Sequence, residues 1–165
     1  ACTGVQGANR LASNSLTEAL VMGERAAAGL AVDLRSRPLP GTASARPAAG
    51  LRAAEATEDI REAMAEHVSV LRDAVGLADA LRVLADLPAA PRLDDAVLTA
   101  TNAAQVAQLV AAAAAERTES RGCHRRSDYT QRRETWRLHI DQRLDEAGQV
   151  ALSFTDPICG HQVAA

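Results

Sequence analysis

Apolar residues recur along this chain with the period of an α-helix, in four blocks separated by proline, glycine and short polar residues. In the first block Leu16, Leu20, Ala27, Leu30, Ala31 and Leu34 fall at helical spacing. Ser15-Leu16-Thr17-Glu18 precedes most of them with the spacing of a capping box, in which Ser15 accepts a backbone N–H and Glu18 reaches back. A helix is therefore expected over Ser15 to Asp33, after a Gly/Ser/Asn-rich loop over residues 1–14. Residues 35–50, RSRPLPGTASARPAAG, hold three prolines among small residues, which prevents a continuous helix and predicts a linker.

The helical pattern resumes at Leu51. Ile60, Met64, Val68, Leu71 and Val75 share one face, with Gly76 as the expected break. Leu77, Ala80, Leu81, Leu84 and Leu87 predict a second, shorter helix ended by Pro88 and Pro91. Asp94 is the expected N-cap of a third, with Val97, Leu98, Thr101, Ala104, Gln105 and Leu109 on one face and Ala111–Ala115 carrying it to about Glu119. Three helices with short connections predict an antiparallel bundle. Beyond Gly122 the pattern weakens. Gln131 to Ala147 is compatible with helix, Val150 to Phe154 has strand character without a visible partner, and the tail from Thr155 reads as irregular.

Composition sharpens this. Alanine supplies 37 of the 165 residues and aromatics only 2%. That excludes an aromatic-rich β-sandwich core and favours close-packed helices, since alanine is the best helix former and the smallest side chain to pack. All 18 basic residues are arginine, which reads as a coding bias rather than a nucleic-acid signal, and the net charge of −3 also argues against a phosphate-binding domain. The apolar run Val106 to Ala115 is interrupted by Gln108 and too short to span a bilayer. No basic stretch followed by an apolar one opens the chain, so no leader is expected. The start without Met reads as a segment of something longer, or as a processed end. Cys2, Cys123 and Cys159 are too few and too scattered for a disulfide framework, which favours a reducing, cytoplasmic compartment.

Three patches could carry chemistry. Gly4 to Leu16 places two glycines, Arg10 and a helix start within thirteen residues. Glycine lets backbone approach a flat ligand, unpaired N–H groups at a helix start favour negative charge, and Arg10 offers a planar fork for a carboxylate. This is either an anion site beside a cofactor or an ordinary glycine-rich turn with a solvated arginine. In the second patch Cys123 stands next to His124. Neighbouring residues point apart, Cys159 and His161 complete no zinc spacing, and a helix end stopped by Gly122 explains the pattern better than a metal. The third patch is the run from Arg117 to Arg137, where seven arginines mix with Glu119, Asp128 and Glu134. A salt-bridged surface is expected there, because Tyr129 and Trp136 alone make no base-stacking platform. His67 and His139 read as surface or core-edge residues.

The first two patches together resemble a known family. TGVQGANRLASNSLTEALVMG, Thr3 to Gly23, is similar to the signature of L-aspartate oxidases near the end of their FAD-binding domain. TESRGCHRRSDY, Thr118 to Tyr129, resembles their C-terminal helical domain at the matching distance downstream. Succinate dehydrogenase and fumarate reductase flavoproteins carry altered forms of both, usually with Gly-Gly or Gly-Ser where this chain has Ala12-Ser13. The resemblance implies a mainly α chain: residues 1–34 as the end of an FAD-binding α/β domain, contributing one long helix; the linker 35–50; a three-helix-bundle C-terminal domain over 51–130; and a C-terminal extension over 131–165. It implies FAD-dependent oxidation of L-aspartate to iminoaspartate in NAD biosynthesis, by hydride transfer from Cα to flavin N5. Oxygen or fumarate would reoxidise the flavin, and quinolinate synthase would take the product.

On the matching residues, the resemblance gives Arg10 the role of holding a substrate carboxylate, and Ser15 and Leu16 contacts with FAD. Gln6 stands where many members have His, Thr17 where Leu is usual, and Thr130 where Pro is usual. The dinucleotide-binding glycine loop and the catalytic arginine of the family are not in this sequence, so FAD would be bound mainly by other parts and the chain alone is expected to be inactive. Two alternatives compete: a succinate dehydrogenase or fumarate reductase flavoprotein fragment, and a non-catalytic helical interaction module. Neither nucleic acid nor membrane is an expected partner.

Overall fold

A computed structural model describes residues 13–37, 41, 50–145, 148–156 and 162–163. The chain divides into two compact units, Ala1–Pro47 and Ala48–Ala165.

The first unit is built on α1, Asn14–Ser36. It starts one residue before the expected Ser15, and Ser15 is not its cap. Ser13 takes that place in a left-handed conformation, φ 65°, and its side chain makes no capping bond. Its carbonyl accepts the first bonds of the helix, from the amides of Leu16 at 3.1 Å and Thr17 at 3.4 Å. The capping box read at Ser15 and Glu18 is thus displaced into the first turn. At the other end the helix outruns Asp33, because the Ser36 hydroxyl and the Arg37 amide satisfy the carbonyls of Val32 and Asp33. No residue of α1 is buried, and Leu16, Leu20, Leu30 and Leu34 are all more than half exposed. Most of the expected linker, 38–40 and 42–49, lies outside the described residues.

The second unit opens with three helices: α2, Ala56–His67; α3, Ala74–Ala85; and α4, Asp95–Glu116. The bundle expected from the sequence is present, with shifted boundaries. Ile60 and Val68 enter the core as predicted, but α2 stops at His67, leaving Leu71 and Val75 exposed. The break is the loop 68–73 rather than Gly76. Asp73 caps α3 by accepting the Gly76 amide at 2.8 Å. Glycine at 76 serves the packing: a Cβ there would come within 3.3 Å of the His67 ring.

Asp94 caps α4 as expected, accepting the Val97 amide at 2.9 Å. The buried stripe of α4 is Val97, Ala100, Thr101, Ala104, Ala107, Ala111 and Ala114. It departs from the predicted face: Leu98 and Gln105 are exposed. Alanine, not leucine, sets the stripe because the small side chain lets Leu77, Leu84 and Leu87 from the α3 region close onto α4. By length and composition α4 is apolar enough to cross a bilayer, beyond what the run Val106–Ala115 indicated, but its alanine stripe packs inside this bundle. The chain enters the unit pinned to the α3–α4 loop and to α4: Ala53 donates to the Pro88 carbonyl, Ala90 to that of Leu51, and the Arg52 amide to the Thr101 hydroxyl of α4.

After α4 the chain is extended. A single 3₁₀ turn, Glu134–Trp136, leads into β1, His139–Leu144. β2, Val150–Thr155, pairs with it antiparallel, and β3, Gln162–Val163, pairs antiparallel with β2. Val150 to Phe154 is the strand predicted, and its missing partner is the stretch that was compatible with helix. That reading of Gln131–Ala147 fails because His139–Leu144 alternates in burial with period two. The tail is not wholly irregular either, since β3 belongs to it. Ile140, Gln142 and Leu144 form the more buried side, and Gln142 donates to the Leu109 carbonyl of α4 at 2.5 Å. Trp136 packs edge-on against Phe154, centroids 6.0 Å apart.

Candidate functional site

Of the three residues assigned to ligands from the sequence, Arg10 lies outside the described residues. Ser15 and Leu16 sit in the first turn of α1. Ser15 is half-buried and Leu16 is 75% exposed. The amides of Asn14 and Ser15 precede the first intrahelical bond, so they point out of the positive end of the helix dipole. The described part of the first patch is therefore a pair of amide donors beside an exposed leucine. Hydrogen-bond acceptors with negative charge fit the donors, and the edge of a flat ring fits the leucine. A flavin ring offers both, so these residues fit the cofactor.

The second and third patches merge into one structure. α4 ends at Glu116, three residues before the expected end, and Gly122 does not stop it. Arg121 and His124 instead exchange backbone bonds, 2.8 and 3.0 Å, around a two-residue turn. Gly122 takes its first central position with φ 58°, where only glycine is at ease. Cys123 is at the tip, exposed. Among the described residues no three His, Cys, Asp or Glu come together as metal ligands.

The arginine run is salt-bridged, as expected, and Arg125, Arg132, Arg133 and Arg137 are exposed, but two of its charges lie inside. Glu119 is wholly buried, and its carboxylate accepts from Arg117 at 3.0 Å, Arg121 at 2.5 and 3.1 Å, and the Arg133 amide at 2.8 Å. Burial alone would raise this carboxyl, but the bonds from Arg121, the Arg133 amide and Arg117 outweigh it and hold it below the usual glutamate value. Arg117 also donates to the carbonyls of Trp136 and Leu138 and stacks on Trp136. One buried carboxylate thereby ties the end of α4 to the segment leading into β1.

Arg126 forms a second centre, 2% exposed. It grips Asp128 with two bonds, 2.8 and 2.7 Å, and donates to the Ala114 and Ala115 carbonyls at the end of α4. Asp128 also accepts the Ala74 amide at the start of α3. The bidentate Arg126 pair pulls the Asp128 carboxyl down to about 2. A third joint passes through His124, held between Arg72 and the Arg117 carbonyl.

Sequence reasoning missed that Glu119 and Arg126 are interior. The signal was present as alternation: Arg117-x-Glu119-x-Arg121 and Arg126-x-Asp128 place opposite charges two residues apart, on one side of an extended chain. With their carboxylates fully engaged, these centres fix structure and offer no free base.

Residues 90–159 match the family described as fumarate reductase flavoprotein C-term. An L-aspartate oxidase of Streptomyces coelicolor is 43% identical over 177 residues, covering 94% of this chain and 30% of that protein. Those of Agrobacterium fabrum and Rhodospirillum rubrum are 44% and 45% identical, covering 80% and 78% of this chain and 24% and 46% of theirs. A chain of the Mycobacterium smegmatis Sdh1 complex in the apo form shares the fold, with a TM-score of 0.72 at 24% identity, over 93% of this chain and 31% of that one. This is a mainly helical C-terminal part of a fumarate reductase-type flavoprotein. Within that class the chain belongs to the L-aspartate oxidase family and corresponds to the C-terminal part of those proteins. It spans about a third of the length of the Streptomyces relative.

Proposed function

We propose that this chain is the C-terminal portion of an FAD-dependent L-aspartate oxidase that converts L-aspartate to iminoaspartate in the cytoplasm, for NAD synthesis through quinolinate. The observation that carries this reading is the identity of 43% over 94% of the chain to a protein named L-aspartate oxidase. The motif Thr3–Gly23 supports it, as do the amide donors and exposed leucine at the start of α1.

The bound flavin would supply the acceptor for the hydride lost from the substrate Cα. Arg10 would hold a substrate carboxylate through two parallel N–H···O bonds, fixing which face of Cα is presented. The start of α1, with Ser15 and Leu16, would lie against the cofactor, its amides favouring negative charge there. The exposed leucines of α1 support a larger protein in which this face is covered. By itself the chain would bind FAD weakly and not turn over, and the iminoaspartate made by the whole protein would pass to quinolinate synthase.

The test uses the longer protein that contains this sequence. It should release peroxide, or reduce fumarate, with L-aspartate as donor. Dye-linked oxidation of succinate alone would overturn the reading. Arg10→Ala should lower kcat/KM for L-aspartate about 10- to 100-fold with flavin still bound, as expected for a charged hydrogen-bonded pair worth about 1.5–3 kcal/mol. Unchanged kinetics would remove Arg10 from the substrate site.

A further inference from the structure

His124 is the one titratable group of the buried arginine network that changes charge near neutral pH. It sits at the foot of the Arg121–His124 turn, half-buried, and joins two segments remote from each other in sequence. Its Nε2 lies 3.0 Å from the carbonyl oxygen of Arg117, the residue that caps α4. A carbonyl only accepts, so Nε2 carries the hydrogen. Its Nδ1 lies 3.0 Å from Nη1 of Arg72 in the α2–α3 loop. A guanidinium only donates, so Nδ1 presents a lone pair. The two partners together specify a neutral imidazole in a single tautomer.

The charged groups facing this ring are arginines: Arg72 from the α2–α3 loop, Arg117 from the end of α4, and Arg126 from its own loop. Two of these have a carboxylate partner, Arg117 the Glu119 that it shares with Arg121, and Arg126 Asp128. Arg72 forms no ion pair among the described residues. Its Nε caps α2 at the Val68 carbonyl, its Nη1 goes to His124, and burial lowers its proton affinity below that of an ordinary arginine. A proton on Nδ1 would remove the acceptor and set a cation 3.0 Å from an unneutralised guanidinium.

We propose that His124 is a proton-operated latch: neutral, it fastens the α2–α3 loop to the end of α4, and protonated, it repels Arg72 and releases that loop. Burial and the surrounding arginines lower the proton affinity of the ring below that of ordinary histidine. The unfolded or opened chain therefore takes up the proton more readily than the latched one, so the latch is complete above the ordinary histidine value and weakens as pH falls below it. Opening has a defined local readout. The Arg72 amide donates to the Arg125 carbonyl at 3.0 Å and the Ser127 amide to the Arg72 carbonyl at 2.8 Å, so both amides span the joint.

The experiment is NMR on the chain between pH 8 and 5, following imidazole nitrogen shifts and amide protection at Arg72 and Ser127. The expected result is a neutral Nε2–H tautomer for His124 at pH 7.5. Protection at both amides should be flat above the titration and fall up to about tenfold per pH unit within it, one proton per opening. His124→Gln keeps an acceptor and a donor but binds no proton, so its protection at these amides should not vary with pH. A cationic or Nδ1–H ring at pH 7.5, or the same pH dependence in His124→Gln, would overturn the latch. If that variant does not fold, the unmodified chain decides: a His124 that titrates at or above the ordinary histidine value overturns it equally.

Discussion

The two long helices of this molecule, α1 and α4, both carry a periodic apolar stripe and end in opposite states. α1 has a helical apolar stripe of four leucines and buries no residue. α4 has fewer large apolar residues on its inner face, yet buries seven positions, five of them alanine. Periodicity makes both helices; what differs, among the described residues of each unit, is whether neighbouring elements cover the stripe. In the second unit α2, α3 and the sheet close onto α4, and a buried set of arginines and carboxylates holds the end of that helix. Apolar spacing is thus a statement about helix formation, and burial is a separate statement about partners.

The comparison is most exposed to failure at Glu119. Glu119→Ala leaves Arg117, Arg121 and the Arg133 amide without their shared acceptor in the interior, and should cost about 3–5 kcal/mol. Urea unfolding checks this; a loss below about 1 kcal/mol would mean that the network is dispensable and the bundle stands on alanine packing alone. Next in size is the acid limb. Asp128 has a folded pKa lowered from 3.8 to about 2, so the unfolded chain takes up this proton first as acid is added. Its contribution is complete above pH about 4 and is lost between about 4 and 2. Asp128→Asn should cost roughly 1–2 kcal/mol at neutral pH and flatten stability against pH in that window. An unchanged acid profile would detach Arg126 from the stability of the fold. The smallest effect is expected in α1. Leu20, 74% exposed, should tolerate Leu20→Ala within about 0.5 kcal/mol in this chain. A loss of several kcal/mol would show that α1 has a packing partner after all and erase the contrast between the two helices.

Much of the fold was legible. Asp94 as an N-cap, the core positions Ile60, Leu77, Ala80 and Leu84, and the strand at Val150–Phe154 all follow from local pattern, and all are present. The misses share a cause. Leu71 and Val75 continue the periodicity of α2 but lie beyond a break set by the Asp73 cap and the close approach of His67 to Gly76. Leu98 and Gln105 fit a helical face as well as Ala100 and Ala107 do, and only the neighbouring helices select between them. The role of Arg10 rests on the resemblance of its motif, and Ser15 and Leu16 can be located but are not seen with a ligand.

The sequence by itself determined the helices, the Asp94 cap and the family, because hydrophobic period, a capping residue and a contiguous motif are local properties written within a few positions. Tertiary structure alone decided which stripe of α4 faces inward, that His139–Leu144 is a strand rather than part of a helix, and that Glu119 and Arg126 are interior. Each of those depends on a partner dozens of residues away: Arg72 for His124, Ala74 for Asp128, Leu109 for Gln142. A charge looks solvated in sequence because the group that would make its burial tolerable is not adjacent to it, and only folding brings the two within hydrogen-bond distance.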